Sequence, residues 1–149
     1  MICQLFETVD GVGLTERNTL NTRRSQEIDI AFWNDQQRPN GLWFLPDRIL
    51  VECKNWTKRV GSAEVSWFDA KLRRRGPAGR FGILFAASGV TGDSNDHSAA
   101  KDIIDQALAD GREIIVITND DLISLTCSDD LVGLLKAKLT RLAAGASLG

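Results

Sequence analysis

The sequence predicts an α/β protein built on a mixed β-sheet flanked by helices. Three observations carry this expectation. The segments 27–33 and 49–54 alternate apolar and ionisable residues with the period of two that a strand imposes. Phe81 to Ala87 and Glu113 to Thr118 are apolar runs of strand length, as expected for strands covered on both faces. Helical patterns follow each of these later segments. The back half therefore reads as βαβ units on a parallel strand pair, and the front half as a meander.

The elements follow in order. Ile2, Leu5, Phe6 and Val9 recur at helical spacing. This helix starts at the first residue with no cap upstream, which leaves open a missing N-terminal piece or a trimmed start. Gly11 and Gly13 are expected to end it. A strand is expected from about Thr15 to Leu20 and another from about Glu27 to Trp33. Pro39, Asn40, Gly41 and Pro46 make 34–48 mostly turn, with a short extended piece at Leu42 to Phe44. Ile49 to Lys54 forms the next strand.

Ser62 is the expected cap of a helix that carries Glu64 in its first turn and an apolar stripe of Val65, Phe68 and Leu72. Its basic last turn complements the helix dipole, and Gly76-Pro77 stops it. Ser94 or Asp96 caps the next helix, in which Ala100, Ile103, Ile104, Ala107 and Leu108 share a face before Gly111 ends it. Asp120 or Asp121 opens a short helical turn. Leu131, Leu134, Leu135, Leu139 and Leu142 mark a final helix over about 129–144, opened by Asp129 or Asp130, and the tail after it is expected to fray. The reading is of a single domain over 1–149, with a core over about 1–125.

At 149 residues there is room for one sizeable core, and a charged fraction of 26% is ordinary for a soluble globular chain. No apolar run reaches the roughly 18 residues that cross a bilayer, and MICQLFETVDG lacks the marks of a signal peptide, so a cytoplasmic location without membrane attachment is expected. Cys3, Cys53 and Cys127 make neither a zinc pattern nor a disulfide framework. A net charge of −2 does not advertise a nucleic-acid binder, but Lys71, Arg73, Arg74, Arg75 and Arg80 form a local basic cluster, and Arg23 and Arg24 lie just before the strand at 27–33.

Strand alternation sets Glu52 and Lys54 on the face opposite Ile49, Val51 and Cys53, and Glu27 and Asp29 opposite Ile28 and Ile30. If the two strands pair, Asp29, Glu52 and Lys54 converge on one small volume. Two carboxylates suit Mg2+, which prefers oxygen ligands and keeps several waters; the Cys53 carbonyl is a further candidate ligand. Such a cation serves phosphodiester hydrolysis by supplying a nucleophile and neutralising charge in the transition state. Lys54 would orient or deprotonate the attacking water, or stabilise the phosphoryl charge.

The arrangement resembles the PD-(D/E)XK nuclease superfamily, in particular its Mrr-like restriction endonuclease branch. Asp29 matches the acid that ends one strand, and Glu52-Cys53-Lys54 matches the E-x-K on the next. The likeness extends through VGSAEV (60–65), FGILFAASGVTG (81–92) and REIIVITNDDL (112–122). The resemblance implies a restriction-endonuclease-like fold with an αβββαβ core and a Mg2+-dependent nuclease, with Mn2+ a possible substitute. Members often carry a Glu on the first helix near the metal; Glu7 and Glu16 are the candidates here, or the position lies before Met1. DNA is the implied partner, a homodimer is plausible, and sequence recognition would come from a fused domain or a second subunit.

Other features read more plainly. The basic cluster either contacts DNA phosphates or is a solvated helix end. Ser88 to Gly92 reads as a strand-to-helix turn, since it lacks the Walker pattern. His97, the only histidine, reads as a surface residue, and a lone histidine builds neither a zinc site nor a hydrolase triad. Glu27 reads as a rim ion pair, Trp67 as core packing, and Trp56 as a candidate wall of the substrate groove. The leading expectation is an endodeoxyribonuclease. The alternatives are a catalytically degenerate nuclease fold that binds nucleic acid or protein, and a Holliday-junction resolvase.

Overall fold

The computed structural model describes the backbone of residues 2–17, 28–90 and 94–145, and the side chains of all of these except 94–98. Along the chain run α1 (Ile2–Glu7), β1 (Val12–Arg17), β2 (Ile30–Asn34), β3 (Arg48–Lys54), α2 (Ser62–Arg74), a 3-10 turn (Gly76–Gly79), β4 (Phe81–Ala86), α3 (Ser94–Ala109), β5 (Glu113–Ile117), α4 (Asn119–Ile123) and α5 (Ser128–Ala143). Among the described residues these strands form a five-stranded sheet in the order β1-β2-β3-β4-β5. The pairs β1–β2 and β2–β3 are antiparallel, whereas β3–β4 and β4–β5 are parallel. The meander in front and the βαβ units behind are therefore both present. The order α1-β1-β2-β3-α2-β4 is the αβββαβ core that the resemblance implies.

Burial explains the two kinds of strand pattern. Every residue of β4 is buried, so its sequence FGILFA has no reason to alternate. β1 lies at the sheet edge and is exposed from Gly13 onward. β3 sits in the middle, and its buried stretch from Ile49 runs through Glu52.

α2 is drawn down onto β4 by two devices. A Cβ on Gly82 would lie 2.6 Å from Leu72 Cδ1 and 2.8 Å from Phe68 Cζ, so the missing side chain is what lets the helix approach. Asp69, itself buried, accepts Arg112 Nε at 2.9 Å and Arg73 Nη2 at 2.9 Å, which ties α2 to the residue just ahead of β5. These contacts fix the height and rotation of the helix face turned towards β3.

Several boundaries differ from the sequence reading. β1 begins at Val12 rather than Thr15, because Gly11 at φ 80° turns the chain directly out of α1 and leaves Gly13 inside the strand. Residues 42–44 are not a strand. The buried Asn34 amide donates to the carbonyls of Leu42 (2.8 Å) and Pro46 (2.9 Å), which folds this loop inward and buries Leu42 and Leu45. Gly61, not Ser62, stands at the N-cap of α2, without a side-chain cap.

Thr118, not Asp120 or Asp121, caps α4. Its hydroxyl accepts from the Asp121 N–H while the Asp121 carboxylate accepts from the Thr118 N–H, a reciprocal capping box. Cys127 stands at the N-cap of α5, and Asp130 reaches back to accept from both the N–H and the hydroxyl of Thr126. Those bonds hold the Asp130 carboxyl below its ordinary value.

Among the described residues no helix is long and apolar enough to cross a membrane. The expected strand end at Leu20, Arg23, Arg24, Glu27, the Thr91-Gly92 end of the turn, the side chains of Ser94, Asp96 and His97, and the last four residues lie outside the described residues.

Candidate active site

β2 and β3 pair with Ile30 opposite Val51. One residue before Ile30, Asp29 turns its carboxylate onto β3, and its Oδ2 accepts a hydrogen bond from the Cys53 N–H at 2.8 Å. On the neighbouring residue, Glu52 Oε1 accepts Lys54 Nζ at 3.3 Å. The structure thus brings Glu52 and Lys54 into contact and places Asp29 on the adjoining amide, at the C-terminal end of β3.

A third group joins them. Lys71 of α2 donates to the same Glu52 Oε1 at 2.8 Å, closer than Lys54. Glu52 is 3% exposed and Lys71 8% exposed. A carboxylate so deeply buried is tolerable only with a counter-charge, and two ammonium groups supply it. Both act on Oε1. The other oxygen, Oε2, is buried without a hydrogen-bond partner.

That orphaned oxygen and the Asp29 carboxylate are the donor type that Mg2+ takes. Among the described residues no group of three His, Cys, Asp or Glu side chains could hold a metal ion. By donor type, Glu52 Oε2 and the Asp29 carboxylate fit a hard cation held by two carboxylates, with a backbone carbonyl such as that of Cys53 and water completing the shell.

The Cys53 thiol has no part in such a set. Burial, then the Asp29 carboxylate, with smaller contributions from Cys3 and Glu52, push it up to about 12, against a weak opposing pull from Arg17. At neutral pH it stays protonated and unreactive. In an alkylation time course at neutral pH, the exposed Cys127 should react first and Cys53 should lag by at least about tenfold, read by peptide mass analysis. Equal rates would contradict this environment.

The basic cluster does not hold together as one surface. Lys71 is withdrawn into the site by its ion pair with Glu52. Arg73 is taken up by Asp69. Arg74 lines a groove beside Glu52. Arg75 is exposed at the helix end. Arg80 precedes β4, whose Gly82 pairs with Leu50 and whose Ala86 pairs with Lys54, so Arg80 lies at the opposite end of the sheet, about 20 Å away along the strand.

Trp67 also differs from expectation. It is 65% exposed and forms part of the same groove, whose volume is about 570 Å³. Glu64 lines it too. The signal for these groove residues was present in the sequence. Glu64, Trp67, Lys71 and Arg74 recur at helical spacing, off the stripe of Val65, Phe68 and Leu72.

Trp56 is partly buried after β3, with Lys54 Nζ 5.4 Å and Lys58 Nζ 5.1 Å from its ring centre. Its carbonyl accepts from the Ser88 hydroxyl at 2.8 Å, and Val60 bridges Val90, so the turns after β3 and β4 are joined. Glu7 ends α1 and Glu16 lies on β1; both are exposed.

The sheet changes from antiparallel to parallel at β3, the strand that carries Glu52 and Lys54, within an α/β architecture. The family model for the restriction endonuclease Mrr catalytic domain matches residues 2–126, and the chain belongs to this family. Neither a curated protein nor a solved structure matches it.

Proposed function

We propose that this chain is a divalent-metal-dependent endodeoxyribonuclease, with Asp29 and Glu52 as the residues that hold Mg2+, or Mn2+ in its place. The Cys53 carbonyl is the proposed third protein ligand. A cation bound there supplies Lewis-acid stabilisation of the phosphoryl oxygens and lowers the pKa of a water. Lys54 orients the attacking water or draws charge from the phosphate, and it is less buried than Lys71. Arg74 is the member of the basic cluster best placed to meet a DNA phosphate near the site, with Arg73, Arg75 and Arg80 more distant contacts.

The observation that carries this reading is the buried Glu52 carboxylate, paired on one oxygen and unpartnered on the other, with Asp29 on the adjoining amide. The test is supercoiled plasmid with Mg2+. Nicking or linearisation is expected, EDTA should stop it, and Asp29→Ala should lower it at least about a hundredfold. Cleavage that survives Asp29→Ala would defeat the assignment. Retained activity on four-way junctions over linear duplex, with an obligate dimer, would move the reading to a junction resolvase. We further propose one nuclease domain in a cytoplasmic homodimer that draws sequence recognition from another domain or subunit.

One observation favours a different class. Lys71 and Lys54 already neutralise Glu52, and no three-residue metal cluster is found among the described residues. A degenerate fold that binds nucleic acid without cutting fits those facts. Calorimetry separates the two: no heat with Mg2+ or Mn2+, together with salt-dependent DNA affinity, selects the binding module.

A further inference from the structure

We propose that the groove between α2 and the end of β3 receives an unpaired nucleotide, its base stacked on Trp67, so that the preferred substrate is DNA with unpaired bases beside the bond to be cut. The substrate role rests on the nuclease reading, whereas the stacking site is tested by binding alone.

Trp67 is not needed to complete the core. Its helix already buries Val65, Phe68 and Leu72, each at most 1% exposed, whereas the indole is 65% exposed. A large aromatic surface left in water on a groove wall marks a contact site for another aromatic or apolar group. The other wall residues define what that group belongs to. Lys54, Lys71 and Arg74 face the groove against Glu52 and Glu64, which leaves an excess of one positive charge. An aromatic platform with cations beside it is the combination that binds single strands, the base on the ring and the phosphate on the cation.

Size and stacking select the unpaired form. The groove volume of about 570 Å³ is in the range that takes a molecule of nucleotide size. In an intact duplex each base face is covered by its neighbours, so only a base that has left the stack can lie on Trp67. Trp67 is one helical turn from Lys71, whose ammonium touches Glu52. A base on Trp67 therefore sets its own phosphate beside the carboxylate and lysine of β3.

The test measures fluorescence anisotropy of a labelled oligothymidylate in EDTA, with wild type, Trp67→Ala and Trp67→Phe. Trp67→Ala should weaken binding roughly 5- to 100-fold, and Trp67→Phe should stay within about threefold of wild type. A fully paired duplex of the same length should change less than about twofold. An oligonucleotide of abasic sites, which keeps the phosphates, should bind wild type no better than it binds Trp67→Ala. Equal loss on duplex and single strand would overturn the proposal. So would unchanged DNA binding with a shift in sedimentation, which would make Trp67 a protein contact. Each result stands whether or not the protein cuts DNA, because cleavage is scored separately with Mg2+.

Discussion

Lys54→Met is expected to reduce Mg2+-dependent plasmid cleavage by about a hundredfold to a thousandfold while leaving the unfolding midpoint nearly unchanged. The two halves of this expectation have separate causes. Methionine keeps most of the side-chain volume and removes only the charge. Lys54 is the outer of two ammonium groups on Glu52 Oε1, at 3.3 Å with its side chain 22% exposed. Lys71, at 2.8 Å and with its side chain 10% exposed, still neutralises the carboxylate after the change. Loss of a partly exposed ion pair costs about 1 kcal/mol or less. A charge aimed at a phosphoryl group in the transition state is worth far more, on the order of two to three powers of ten in rate. Single-turnover cleavage and urea unfolding of the same preparation check both halves. Cleavage within tenfold of wild type would remove Lys54 from the chemistry, and Lys71 would then be the cation to examine.

The readable part of the site was the part that lies close in sequence and obeys strand geometry. Glu52 and Lys54 are two residues apart, and a period of two places them on one face whatever the rest of the chain does. Asp29 needed one further assumption, that the two strands pair. The observed register ends with Ile30 opposite Val51, and Asp29, one residue before it, reaches the Cys53 N–H. The buried runs at 81–87 and 113–118 were legible because a doubly covered strand has no polar face to show.

Lys71 was not legible, because its contact with Glu52 spans 19 residues and depends on the rotation of α2. That rotation is set by Gly82 beneath Phe68 and Leu72 and by Asp69 held to Arg112, all of them tertiary contacts. A run of five basic residues near a helix end looks like one patch until those contacts divide it. Trp67 was misassigned for the opposite reason. Its helical phase with Lys71 and Arg74 was visible, but the general tendency of tryptophan to be buried outweighed it. The Thr118 cap was likewise visible as Thr-x-x-Asp, hidden by the acidic pair that follows it.

Lys71→Met is expected to lower stability by about 3 kcal/mol. It removes the nearer counter-ion from a carboxylate that is 3% exposed and already has one unpartnered oxygen. Lys54 remains, but it reaches the same oxygen from further away. In urea the midpoint should fall by about 1 to 2 M with an unchanged slope. Adding Glu52→Gln to Lys71→Met should recover at least about half of the loss, since the buried charge is then gone along with its partner. No recovery would mean that the loss came from the lysine stem packing under α2 rather than from the ion pair. If Mg2+ binds Glu52 as proposed, adding it should raise the midpoint of Lys71→Met more than that of wild type, because the cation then meets a carboxylate with one fewer ammonium group on it. An equal rise in both proteins would separate the cation from Glu52. The same lysine would then have a purely architectural role, holding a buried acid in the sheet. The carboxylate that binds the cation would have to be sought at Asp29 alone.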